Sequence, residues 1–308
     1  MLEDDCNALE LISPLTRLKI ARDAEVAVVA CMRNEMFMLP HFLAHYRKLG
    51  VEAFLIADNC SDDGTLEYLA DQPDVAVFSV ETAYSLSHYG VAWQQALLGA
   101  FRVGKWSLVA DADELLVLRE DLGGSLPELL RGAEFADANA ARIFMVDFYP
   151  KGSLAEVDFA SGNPFTETGF VDREPFLTTS FGQGPFSNAP TWTSAVRHRL
   201  IAGSRRELFV GQKLALLRYD PLMRLSDGLH YGAGMRVANR ELIFGHFKYH
   251  ADFRRKAMAE TARRQHFNGA EEYEKYLALV SEGRDVIFDP AVSVPWTEAE
   301  FVKARLGG

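Results

Sequence analysis

The sequence predicts an α/β fold: a mostly parallel central sheet flanked by helices, followed by a C-terminal helical appendage. Three observations point there. Short apolar runs recur through the first half of the chain, segments of helical spacing separate them, and three of the runs end in polar residues. Strands that alternate with helices favour parallel pairing, with helices covering both faces.

Residues 1–23 read as a short polar lead with local turns. Val26–Cys31 is a continuous apolar run, as expected of a strand buried on both faces. Leu39, Phe42, Leu43, Tyr46 and Leu49 then recur at helical spacing, Pro40 fits only a first turn, and Gly50 is a stop. The cycle repeats with strands at Phe54–Ala57, Val75–Phe78 and Trp106–Ala110, helices from Thr65 and over 88–103, and a further strand over Ala141–Phe148. From Lys151 to Thr193 Gly, Pro, Ser and Asn break the pattern, as in an acceptor-facing insertion or a surface excursion. Strand-like runs return at Ala195–Ile201 and Lys213–Tyr219, and helices are expected over 251–266 and 270–282. The expected organisation is a lead over 1–23, a catalytic domain over 24–240 and a helical extension over 241–308.

At 308 residues, with 48% hydrophobic and 24% charged residues, the chain is long enough for a sizeable core. A net charge of −11 argues against a nucleic-acid partner, whose phosphates call for a basic face. Three scattered cysteines, Cys6, Cys31 and Cys60, fit neither a disulfide framework nor a zinc site and suit a reducing compartment. No signal-like or membrane-spanning run is visible, so a cytoplasmic location is expected, with peripheral membrane contact left open.

Chemistry is expected at the strand ends: Arg33-Asn34-Glu35, Asp58-Asn59 and Asp111-Ala112-Asp113-Glu114. Open α/β sheets bind ligands beyond the carboxyl ends of their strands. If the backbone stays extended at Asp111-Ala112-Asp113, both carboxylates point the same way. Without a cation they would repel, and oxygen ligands suit Mg²⁺ or Mn²⁺. The alternative is a solvated acidic turn. In Asp58-Asn59-Cys60-Ser61-Asp62-Asp63-Gly64-Thr65, Ser61 or Asp62 is placed to cap the next helix. The carboxylates there suit a base N–H or a ribose hydroxyl better than a phosphate. Neither GxGxxG nor GxxxxGK[ST] occurs.

Cys31-Met32-Arg33-Asn34-Glu35, then Asp58 through Thr65, then Trp106 through Asp111-Ala112-Asp113-Glu114, resembles the ordered signature of family 2 glycosyltransferases over about residues 25–120. The likeness is to the branch whose metal motif reads DADE. It implies a Rossmann-like GT-A fold, a UDP- or GDP-type sugar donor, a divalent cation and inversion at the anomeric carbon. Carried over, Glu35 and Asp58 contact the nucleoside, with Asp62 beside them. Asp111 reaches the ribose or the metal's shell, Asp113 ligates the metal, and Arg33 makes a diphosphate or structural contact. The family's late histidine has two candidates, His230, favoured because it follows a strand-like segment and a turn, and His246. Lys248 is a candidate for neutralising the leaving phosphate. An inverting transfer needs a base, for which Glu174, Asp172 and Asp147 are the candidates. Trp192, Tyr149 and Phe186 are options for stacking on a sugar, against a packing role. The expected partners are a nucleotide-sugar donor and a carbohydrate or glycoconjugate acceptor, in polysaccharide or glycoconjugate assembly. The competing readings are a sugar-phosphate nucleotidyltransferase, for which no early Gly-rich basic loop is present, and a non-catalytic nucleotide-binding module.

Overall fold

The computed structural model describes residues 9–118, 124–160, 162–180 and 189–306. Along the chain run β1 (Glu10–Leu11), α1 (Leu15–Asp23), β2 (Val26–Met32), α2 (Leu39–Lys48), β3 (Ala53–Asp58), α3 (Thr65–Asp71), β4 (Val75–Ser79) and α4 (Val91–Phe101). There follow β5 (Trp106–Val109), β6 (Glu114–Val117), α5 (Leu126–Leu130), β7 (Ala140–Asp147), α6 (Pro164–Glu167), β8 (Phe170–Asp172), β9 (Phe176–Thr179) and β10 (Thr191–Ser194). The remainder is α7 (Ala195–Leu200), β11 (Gln212–Arg218), β12 (Arg224–Leu225), β13 (Gly232–Ala233), β14 (Leu242–His246), α8 (Phe253–Arg263), α9 (Phe267–Ser281), β15 (Ser293–Pro295) and α10 (Glu300–Leu306).

Contacts divide the described residues into two units. The first comprises those up to Ile143 together with Leu214–Glu241; the second comprises Phe144–Lys213 and the residues from Leu242 on. This division cuts through the stretch 24–240 after Ile143 and Lys213 and places 144–213 with the residues from Leu242 on.

The first unit is α/β, with a central sheet in the order β1-β4-β3-β2-β5-β11. Its heart is parallel: β4 with β3, β3 with β2, and β2 with β5. β1 and β11 flank it antiparallel. The apolar runs are inaccessible on both faces, as their lack of alternation foretold. Ala27, Val29, Leu55, Ala57 and Val109 pack under α1 and α4 in one cluster. On the other face Phe42 of α2 meets Phe54. Full burial of such side chains is worth about 1.5–3 kcal/mol each. Gly50 ends α2 with φ 84°, a conformation that favours glycine.

Residues 15–23 form a helix rather than local turns, because Ala21 and Leu18 dock on the α1/α4 cluster. β6, unforeseen, is a short strand against which α2 packs.

The second unit holds two antiparallel pairs, β9 with β10 and β8 with β15. Helices α8 and α9 pack together over Tyr149, Tyr249, Phe253 and Tyr276. Ala195–Leu200, expected as a strand, is helical. The Ser194 side chain accepts from the Arg197 amide as an N-cap, and Val196 and Leu200 are buried four residues apart. The expected irregular stretch contains α6, β8, β9 and β10, with a capping box at Asn163 and Thr166. Phe186 and Cys6 lie outside the described residues.

Candidate functional site

From β2 the chain steps to β3 and β4 in one direction; α4 then carries it back to β5 on the other side of β2. The strand order therefore reverses between β2 and β5. Such a reversal opens a crevice beyond the carboxyl ends of the two strands. Arg33-Asn34-Glu35 leaves one lip and Asp111-Ala112-Asp113 the other, with Asp58 at the end of adjacent β3.

The first two loops are bound to each other. Arg33 Nη1 donates to the Asn59 carbonyl at 2.7 Å. Asn34, in the left-handed region at φ 53°, exchanges hydrogen bonds with Asp62, and its amide donates to Ser61 Oγ. The Glu35 amide donates to Thr65 Oγ1, and the Met36 amide to Asp63. Asp63, rather than Ser61 or Asp62, accepts from the Thr65 amide at the start of α3. Asp58 has no exposed surface and accepts from the Ser61 amide (3.0 Å) and hydroxyl (2.5 Å). Burial raises its carboxyl above the ordinary range although both Ser61 bonds oppose the shift.

The Asp111 motif is a turn, not an extended strand. β5 stops at Val109, and the Glu114 amide donates back to the Asp111 carbonyl at 3.0 Å. Glu114 Oε2 accepts from the Asp111 amide. Asp113 is only 8% exposed. Tyr46 of α2 holds the next strand: its hydroxyl donates to the Glu114 carbonyl (2.7 Å) and accepts from the Leu116 amide. His45 Nε2 lies 2.8 Å from the Leu116 carbonyl. Burial, then Glu114, pushes the Tyr46 hydroxyl well above its usual pKa. Glu114 was legible only as the fourth letter of DADE. The two helix residues carried no signal, since they reach the motif only once α2 is packed.

Among the described residues no three His, Cys, Asp or Glu side chains lie close enough together to hold one ion. Mg²⁺ and Mn²⁺ at phosphate sites commonly take one or two protein carboxylates and complete their shell with phosphate and water. Asp111 and Asp113 match that number of protein carboxylates, on a turn rather than the extended strand that would have aligned them.

No protein-family profile matches the sequence, and no curated protein does. Among solved structures, a mannosyltransferase from Pyrobaculum calidifontis in complex with GDP-Man and Mn²⁺ aligns over 86% of this chain and 72% of its own, at 14% identity and a TM-score of 0.33. A glucose-1-phosphate thymidylyltransferase from Bacillus anthracis aligns over 54% of this chain at 10% identity and a TM-score of 0.31. This chain spans 63% of that one, less than two thirds of its length. A UDP-glucose pyrophosphorylase from Acinetobacter aligns over 61% and 84% at 11% identity and a TM-score of 0.28.

His230 is in the first unit, partly buried behind the turn Asp227–Leu229 that packs on α4. The structure does not gather it with Asp111 and Asp113 into a three-ligand group. The other candidates belong to the second unit. Asp147 is held by Arg197 through both oxygens, by the Ser194 hydroxyl, and by His246 Nδ1 at 2.5 Å. Lys248 Nζ is 3.0 Å from Glu272 and lies over the rings of Tyr273 and Tyr276. Asp172 accepts from the Tyr149 hydroxyl (2.6 Å) and pairs with Arg199 (2.8 Å). Glu174 is exposed. Trp192 packs edge-on against Phe144.

Proposed function

We propose that the protein is a glycosyltransferase that moves a sugar from a UDP- or GDP-type donor to a hydroxyl acceptor, with inversion and with help from a divalent cation. The reversal of strand order between β2 and β5, with a carboxylate-bearing turn on one lip, supports this reading most strongly. Asp111 and Asp113 would hold the cation, which when bound neutralises charge on the diphosphate leaving group. Glu35 and Asp62 would offer acceptors for the nucleoside, Asp58 is enclosed by Ser61 and would have to be uncovered to join them, and Arg33 secures the loop that carries Asn59.

In the transfer the acceptor oxygen bonds to the anomeric carbon as the bond to the diphosphate oxygen breaks. The acceptor proton passes to a carboxylate. Of the three candidates, Asp147 and Asp172 are each engaged by an arginine, and Glu174 is exposed. The acceptor is a carbohydrate or glycoconjugate.

Release of nucleoside diphosphate from UDP- and GDP-sugars, with and without Mn²⁺, tests the proposal. Asp113→Ala should lower turnover at least about 100-fold while leaving the fold intact. Full activity in a chelator, or in that variant, would overturn it. Pyrophosphate release from a nucleoside triphosphate and a sugar phosphate would instead identify a nucleotidyltransferase.

A further inference from the structure

Past the carboxyl ends of the parallel strands, one buried side chain ties three loops together. The backbone link between β3 and the chain leaving β4 ends where the Val80 amide donates to the Asp58 carbonyl at 2.9 Å. Asn59 comes next after Asp58 and is 2% exposed. Its amide donates to the Met32 carbonyl at the end of β2 (2.8 Å), and its carbonyl accepts from Arg33 Nη1 (2.7 Å). Its side-chain NH₂ donates to the carbonyls of Val80 and Thr82, both at 2.9 Å, in the segment that follows β4. Both of those partners only accept, so the carboxamide must turn its nitrogen to them. Aspartate would set an acceptor against two acceptors, and serine has a single proton to give.

The loops joined in this way carry the nucleoside candidates. Glu35 lies two residues beyond Arg33, and Asp62 three beyond Asn59. The segment after β4 returns to the end of β2: a Cβ on Gly90 would stand 3.2 Å from both the Cys31 Cβ and the Tyr84 ring. The Asp111 turn has a different scaffold, made by Tyr46 and Glu114.

We infer that Asn59 is a positioning residue for the nucleoside half of the donor site. It holds the loops after β2, β3 and β4 in place relative to one another and acts on the donor only through them. This rests on the reading of the strand reversal as a nucleotide site.

Calorimetry with UDP, GDP and inorganic pyrophosphate, each with Mn²⁺, tests the inference on the wild type, Asn59→Ala and Asn59→Asp. The expected result is a Kd for the preferred nucleotide raised about tenfold in Asn59→Ala, which strands two carbonyls, and further in Asn59→Asp, with pyrophosphate binding unchanged. Unchanged nucleotide affinity in either folded variant would overturn it, even with a lower melting temperature, the mark of a purely structural tie. So would equal losses for nucleotide and pyrophosphate. Hydrogen exchange on the wild type gives a second reading that needs no variant. Bound nucleotide should slow exchange over 59–65 and 80–84 together, and slowing confined to 59–65 would also overturn the inference. If the wild type binds neither UDP nor GDP, the nucleotide-site reading itself fails.

Discussion

Arg102 has no exposed surface, and its guanidinium is satisfied chiefly by backbone. It donates to the carbonyls of Ala21 and Ala24 (2.7 and 2.8 Å), of Glu25 and Trp106 (3.2 and 2.6 Å), and to the Ser107 hydroxyl. It thus supplies donors to the carbonyls at the end of α1 and the start of β5, which strands and helix turns leave unpaired. Burial lowers its pKa to about 10, so it stays charged at neutral pH. Arg102→Met should cost roughly 3 kcal/mol, read as a lower urea midpoint, because several buried carbonyls lose their donor together. Arg102→Lys should recover less than half, since an ammonium cannot span so wide a set of acceptors. Nothing in the local sequence marked this residue: its partners are drawn from 77 to 81 positions away as well as from its own neighbourhood. Asp58 was the opposite case. The polar residue closing an apolar strand was visible at once, but its enclosure by Ser61 appeared only in the folded loop.

At the scale of elements, α2 and the Asp111 turn behave as one piece. The amphipathic spacing of Leu39, Phe42, Leu43 and Tyr46 foretold a buried helix, and those four residues are buried. What spacing could not foretell is that the Tyr46 hydroxyl sits between the Glu114 carbonyl and the Leu116 amide. Tyr46→Phe keeps the ring and leaves both backbone groups without that partner. A loss of about 1–3 kcal/mol follows. If the turn carries the cation, half-saturating Mn²⁺ should also rise several-fold while the nucleotide loops are unaffected. An unchanged Mn²⁺ requirement in the destabilised variant would separate the scaffold role from the site. The extended geometry expected at Asp111-Ala112-Asp113 failed for a local reason. The Glu114 amide and carboxylate both bond back to Asp111, closing a turn where a continued extended backbone would have aligned the two carboxylates.

At the scale of the whole molecule, the second unit buries a charged network. Burial alone would raise the Asp147 carboxyl, but Arg197 and His246 hold it far below the usual carboxylate range. Burial likewise opposes ionisation of Glu272, and Lys248 and Arg197 outweigh it. Carboxyls depressed in the folded state stabilise it above their unfolded pKa values, about 3.9 for Asp and 4.3 for Glu, and lose that contribution as pH falls below them. Unfolding of the second unit should therefore be nearly flat from pH 7 to about 5 and ease steeply below about 4, followed by urea midpoints at stepped pH. Arg197→Ala should cost about 3–5 kcal/mol at pH 7, because it strands a buried carboxylate, and should blunt the acid slope. Asp58 in the first unit works with the opposite sign: raised by burial, it takes up its proton earlier in the folded state and favours that state on acidification.

Sequence alone determined the alternation of buried strands and amphipathic helices in the first unit, because uninterrupted apolar runs and helical spacing are local patterns that tertiary packing reinforced. It also placed polar residues at three strand ends. Only tertiary structure decided the strand order β4-β3-β2-β5, and with it which of those ends flank the reversal. It alone made a helix of Ala195–Leu200 and enclosed Asp147 among Ser194, Arg197 and His246. Hydrogen bonds and ion pairs between residues tens of positions apart depend on how the chain returns on itself, and no window of neighbouring residues contains that information.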